Sequence, residues 1–213
     1  MKKAVLFLNG DYSDEGKPDI EENTLVIAVD GGLSFLLQNH ITPDLFIGDA
    51  DSAASSDIDR LRQTSCEVLI FSQSKDEIDA ELAIEEAKRR GFNFISIRGW
   101  RGDRIDMILA LLYIMGSHDD ENTQIVAVSS GLEMGIVAGH KRLESIPGEK
   151  WSVLPLFGDA DGVTLKGFRY EIDNCRMMPS KPYGISNVAK SSPVSISVSQ
   201  GKVVYFRWKK KPS

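Results

Sequence analysis

Pro43-Asp44-Leu45-Phe46-Ile47-Gly48-Asp49-Ala50-Asp51-Ser52 is the stretch from which the rest of this chain can be read. Leu45, Phe46 and Ile47 form a short apolar run without polar alternation, the pattern of a parallel strand buried on both faces. The run leads directly into Asp49 and Asp51, two carboxylates spaced i, i+2. On an extended backbone such side chains share a face and lie roughly 6 to 7 Å apart at Cβ, so both can reach one hard cation. Ligands of open α/β sheets collect beyond strand ends of this kind. The competing reading is a solvated turn in which Asp51-Ser52 caps the next helix.

Working outward, short apolar runs alternate with helical patterns from Lys2 to Ser130, the signature of βαβ units and a parallel sheet. Strands are expected near residues 4–8, 25–29, 45–48, 68–71, 94–97 and 125–128. The expected helices are 33–40, 57–63, 77–90 and 104–115. Beyond Gly131 the helical period disappears, and residues 151–156, 163–166, 170–172, 194–198 and 203–206 alternate or run apolar between glycine-marked turns, which predicts antiparallel β structure. The change of pattern puts a domain boundary near residues 131–145.

The chain has 213 residues, 42% of them hydrophobic, enough for one sizeable core with a smaller companion. Its net charge of −6 argues against a general nucleic-acid binder. Cys66 and Cys175 have no metal-like spacing and predict reduced thiols in a cytoplasmic protein. No stretch is apolar for long enough to span a membrane, and Ala4 to Leu8 is too short for a leader core. His40, His118 and His140 are dispersed, which disfavours zinc.

Further groups extend the first acid pair. Lys75-Asp76-Glu77-Ile78-Asp79-Ala80-Glu81 opens a helix with Ala80, Ala83, Ile84 and Ala87 on one stripe. That reading sets Asp76 and Asp79 side by side on the first turn, where they also suit the helix dipole. Two carboxylates at 4 Å repel by about 4 kcal/mol at an effective dielectric of 20, so convergence of both pairs would call for a cation. Asp30-Gly31-Gly32 follows a strand and offers either a phosphate approach or simply a tight βα turn. Gly99-Trp100-Arg101-Gly102-Asp103-Arg104-Ile105-Asp106 carries two guanidinium groups at a helix start. Arg104 there opposes the macrodipole unless an anion offsets it. The alternative is a surface loop in which Arg101 pairs with Asp103. Neither a Walker A loop nor a dinucleotide fingerprint is present.

Taken in order, these segments resemble the thiamin pyrophosphokinase family over nearly the whole chain. The resemblance rests on Asp30-Gly31-Gly32, Pro43 to Ser52, Lys75-Asp76 with Asp79 and Glu81, and Gly102 with Arg104 and Asp106. Ser152-Val153-Leu154-Pro155-Leu156 and Gly184-Ile185-Ser186-Asn187 complete it. It implies an α/β fold: a three-layer parallel-sheet domain binding ATP and Mg²⁺ over residues 1–135, then a smaller antiparallel β-sandwich domain binding thiamin over 136–213. It implies Mg²⁺ on Asp49, Asp51 and Asp79 with Asp76 nearby, and ATP phosphates on Arg104 and the glycine-bearing loops at Asp30, Gly31, Gly32 and Gly102. Thiamin would meet Asp106, Ser186 and Asn187, with Asp106 orienting or deprotonating its hydroxyl. A homodimer with sites near the subunit junction is implied as well.

Several positions depart from the family pattern: Ser34, Ile78, Asp103, Met107, Leu111 and Val188 replace its usual Asn, Thr, Gly, His, Asn and Glu, and no aromatic stands between Val188 and Pro193. The alternatives are a pyrophosphokinase for another hydroxyalkyl heterocycle such as a pterin, a non-catalytic nucleotide or thiamin diphosphate binding module, and an aspartyl-nucleophile phosphohydrolase. Ala53, where that last class needs a hydroxyl, disfavours it.

Overall fold

A computed structural model describes residues 1–49, 55–71 and 78–209. The chain divides into two compact units, residues 1–114 with 122–130 and residues 115–121 with 131–213.

The first unit is built on six parallel strands. These are β1 (Lys3–Phe7), β2 (Leu25–Val29), β3 (Leu45–Gly48), β4 (Glu67–Ile70), β5 (Phe94–Arg98) and β6 (Gln124–Val128). They lie in the order β4-β3-β2-β1-β5-β6. The central strands are apolar throughout because both faces are covered. On one face Val5, Phe7, Val26, Ala28 and Phe46 pack with Leu33 and Leu36 of α1 (Gly32–Gln38) and with Ile58 and Leu61 of α2 (Ser55–Leu61). Alternation puts Leu6, Ile27, Leu45 and Ile47 on the other face, all fully buried. There α3 (Asp79–Arg89) lies against β1, β2 and β3, burying the expected stripe of Ala80, Ala83, Ile84 and Ala87. Each fully buried Leu or Ile contributes about 1.5–3 kcal/mol. A fourth helix, α4 (Ile105–His118), begins in this unit.

The start of α3 corrects one expectation. Ile78 is extended (φ −80°, ψ 151°) and the helix begins at Asp79. The expected side-by-side placement of Asp76 and Asp79 involves Asp76, which lies outside the described residues, as does Asp51.

The second unit is antiparallel, as expected: β7 (Leu132–Val137), β8 (His140–Leu143), β9 (Lys150–Lys166), β10 (Ile172–Met177), β11 (Asn187–Val188), β12 (Val194–Ser197) and β13 (Gln200–Trp208). Two segments expected to be separate, 151–156 and 163–166, belong to the single 17-residue strand β9. Positive φ at Phe157 and Gly158 bends it without breaking it. Its first half pairs with β13 and β11, and its second half with β10 and β12, so one strand serves two sheets. Trp151, Val153, Val163, Leu165, Ile196 and Tyr205 form a common core. Trp151 meets Tyr205 at 5.4 Å and Phe168 edge-on at 5.7 Å.

A buried polar network borders this core. Arg207 grips Glu149 through two N–H groups at 2.9 and 3.2 Å, and its guanidinium lies 5.5 Å from the centre of the Trp151 ring. The Ser145 hydroxyl donates to Glu149 at 2.9 Å and accepts the Trp151 indole N–H at 3.2 Å. Burial alone would raise the Glu149 carboxyl pKa, but the donors from Arg207, Ile146 and Ser145 outweigh it and hold the pKa below its usual value. Among the described residues no helix is long and apolar enough to cross a membrane.

Candidate active site

The strand order of the first unit reverses at β1, where the chain returns from β4 to lay β5 on the other side. A cavity of about 640 Å³ opens at the carboxyl ends of the strands there, the place where such sheets gather ligands. Asn9 follows β1, Asp30 follows β2, Asp49 follows β3 and Gly99 to Arg104 follow β5; all line the cavity. The start of α3 adds Ile78 and Asp79, and α4 adds Met107 and Leu111.

Of the residues expected from sequence, Asp30, Asp49, Asp79, Gly102 and Arg104 are brought together on this wall. Gly31 and Gly32 are not among its lining residues. Gly31 is the N-cap of α1, and a Cβ at Gly32 would lie 1.9 Å from the Phe7 carbonyl oxygen. Close packing of α1 on β1 thus demands Gly32, which is the tight-turn alternative raised by its sequence. Asp30 itself has φ +48°, a costly conformation held by its N–H bond to Ile47 O at 2.9 Å.

Arg104 precedes α4, and its guanidinium binds Asp106 through Nε at 2.9 Å and Nη2 at 2.6 Å. Hydrogen bonds from Arg104 pull the Asp106 carboxyl pKa down to about 2. A carboxylate of that acidity is a weak proton acceptor, so the arrangement suits orientation of a hydroxyl better than its deprotonation. Arg101 does not pair with Asp103 as the loop alternative supposed; its partner is Asp14, at 3.7 Å.

Among the described residues, the wall carries Asp30, Asp49, Asp79 and Asp103 together with Arg101 and Arg104. Asp49 and Asp79, presented by a strand end and a helix start, are oxygen donors of the kind that could hold a hard divalent cation. Trp100, nearly buried, has an indole N–H without an acceptor among the described residues. Sequence reasoning does not single out Asn9, whereas Trp100 is set apart from the other tryptophans by its place in the loop after β5; the rule that ligands gather at strand ends points to both positions.

Gly99 has φ +62°, and a Cβ there would lie 2.1 Å from the Tyr12 hydroxyl. Gly99→Ala is expected to destabilise the chain by more than about 1 kcal/mol, since backbone strain and collision add. Thermal unfolding should show a loss of at least about 2–4 °C.

Ser186 and Asn187 lie in the second unit. Ser186 has φ +59°, and its N–H donates to Ser152 Oγ at 3.1 Å, which ties together the two motifs expected in this half. The Asn187 amide clamps Tyr170, accepting its N–H at 3.0 Å and donating to its carbonyl at 2.7 Å. Asn187 also borders a cavity of about 180 Å³ with Tyr170, Tyr183 and Ile185.

Residues 18–127 match the family model for the thiamin pyrophosphokinase catalytic domain, and residues 142–203 match that for the thiamin pyrophosphokinase vitamin B1 binding domain. The thiamine pyrophosphokinase of Bacillus subtilis (strain 168) is 26% identical over 190 residues, covering 88% of each chain. A crystal structure of thiamine pyrophosphokinase from Bacillus subtilis superimposes with a TM-score of 0.86 at 25% identity, over 99% of this chain and 100% of that one. A family protein from Enterococcus faecalis gives a TM-score of 0.83 at 22% identity, over 98% and 100%, and so shares the fold. With both domain models matched in order, the chain belongs to the thiamin pyrophosphokinase family.

Proposed function

We propose that this chain transfers the pyrophosphoryl group of ATP to the hydroxyethyl oxygen of thiamin, giving thiamin diphosphate and AMP. The observation that carries the reading is the convergence of Asp49, Asp79 and Arg104 on one strand-end cavity in a chain of this family. In the reaction the thiamin oxygen bonds to the β-phosphorus, the bond from that phosphorus to the α,β-bridging oxygen breaks, AMP leaves and the hydroxyl proton is released to solvent. Mg²⁺, when bound, supplies charge neutralisation along the polyphosphate. Asp49 and Asp79 would hold it, with Asp51 as a further ligand and Asp76 beside them. Arg104 stabilises the charge developing on the transferred group. Asp30 and Gly102 form the phosphate side of the site, and the turn at Gly31-Gly32 serves to pack α1 behind it. Asp106 orients the hydroxyl, and Ser186 and Asn187 contact thiamin. Residues 1–135 would thus serve ATP and 136–213 thiamin. The free thiols of Cys66 and Cys175 suit a cytoplasmic enzyme.

A homodimer is part of this proposal. Ile105, Leu109 and Tyr113 recur every four residues on α4 and are 69%, 49% and 53% exposed, an apolar stripe suited to a second copy. Leu109→Lys is expected to shift the protein to monomer in size-exclusion chromatography with light scattering. An unchanged dimer would place the interface elsewhere.

The match of residues 142–203 to a vitamin B1 binding domain favours thiamin over a pterin. Competition tests it directly: excess hydroxymethylpterin should leave thiamin diphosphate formation unchanged, and efficient conversion of the pterin would overturn the substrate assignment. Chelation of Mg²⁺ should stop turnover, and its return should restore it.

A further inference from the structure

We infer that Arg101, outside the motif that carries Arg104, is a second guanidinium ligand for the nucleotide polyphosphate, and that it offsets the negative charge of Asp103. The inference rests on the ATP reading above and names a residue that the family's motif does not include. The first argument is availability. Both Arg101 and Arg104 line the cavity, but Arg104 commits two nitrogens to Asp106 at 2.9 and 2.6 Å. Arg101 meets Asp14 at 3.7 Å, beyond hydrogen-bonding distance, and both side chains are well exposed, at 46% and 70%. Water screens such a pair, so a phosphate can displace Asp14 at small cost.

The second argument is preorganisation. The Arg101 carbonyl accepts the Asp11 N–H at 2.6 Å, and Leu8 N–H donates to Arg98 O at 2.9 Å. The Tyr12 hydroxyl donates to Leu8 O at 2.6 Å, while its ring stacks on Phe35 of α1 at 3.8 Å. Arg98 pairs at 3.3 Å with Glu15, whose side chain is only 5% exposed. The turn from Asp11 to Glu15 therefore straps the exits of β1 and β5 to α1. The backbone at Arg101 is fixed and its side chain alone remains to be ordered by a ligand, which keeps the entropic cost of binding low.

The third argument is charge. The chain carries Asp103 where its family usually has glycine, so a carboxylate is added to a wall that already holds Asp30, Asp49 and Asp79. Arg101, two residues away and lining the same cavity, adds a positive charge beside Asp103 that favours a polyanion.

The experiment measures ATP and thiamin binding by calorimetry, in the presence of Mg²⁺, for the wild type, Arg101→Gln, Arg101→Lys and the double variant Arg101→Gln with Asp103→Asn. Arg101→Gln should raise the Kd and KM for ATP about 10- to 100-fold, the scale of a lost charge-assisted contact, with thiamin affinity and melting temperature unchanged. Lysine should recover part of the loss, and Asp103→Asn most of it. An Arg101→Gln protein that binds ATP within two-fold of wild type overturns the inference and leaves the pyrophosphokinase reading standing. Equal loss of ATP and thiamin affinity would mark a structural role and also overturn it. A wild-type chain that does not bind ATP overturns both.

Discussion

Exchanging Asp49 for Asn is expected to lower kcat at least about 100-fold while leaving the fold intact. Residues that merely orient a metal ligand cost about 10- to 100-fold when lost, so a direct ligand should cost more. Asp49 stands at the end of β3, in the same cavity as Asp79. The substitution preserves shape and removes one charge from a wall that also carries Asp30, Asp79 and Asp103. Mg²⁺ should then stabilise the wild type more than the variant, since stabilisation follows binding. Wild-type turnover in Asp49→Asn would remove the metal assignment.

The largest expected loss of stability is at Trp151. Its side chain is fully buried between Tyr205 and Phe168, and its N–H is held by Ser145. Trp151→Ala should cost about 3–5 kcal/mol in cavity and lost contacts. It also removes the ring beside the Arg207 guanidinium and leaves the Ser145 hydroxyl without its donor. For a chain of this size that corresponds to a fall of roughly 6–20 °C in melting temperature. Trp151→Phe keeps most of the apolar area and should lose clearly less. Equal losses would mean that the indole N–H bond dominates.

The sheet of the first unit was legible because strands buried on both faces show as plain apolar runs: β2 and β3 lie at residues 25–29 and 45–48 as expected, and the other four within one residue at each end. The helix α3 shows where pattern misleads. Its apolar stripe is correct, but acids ahead of it resemble a first turn, whereas Ile78 is extended. The strands β7 and β8 escaped notice because glycine and glutamate interrupt the first, and the second is the polar, partly exposed His140–Leu143. Asp30, Asp49 and Asp79 line one cavity because strand ends converge by topology, while Asp51 and Asp76 lie outside the described residues. The partners of the arginines were not legible. Arg104 reaches Asp106 across a helix start, where the usual i, i+3 and i, i+4 spacing does not apply, and Asp14 reaches Arg101 only because the turn after β1 folds against the exit of β5.

Incubating the purified chain with ATP, Mg²⁺ and thiamin, and measuring AMP and thiamin diphosphate together with Asp49→Asn as the blank, tests the central claim most directly. The two products should form in equal amounts, only when thiamin is present, and not in the blank. No AMP, or AMP released without thiamin diphosphate, would contradict it.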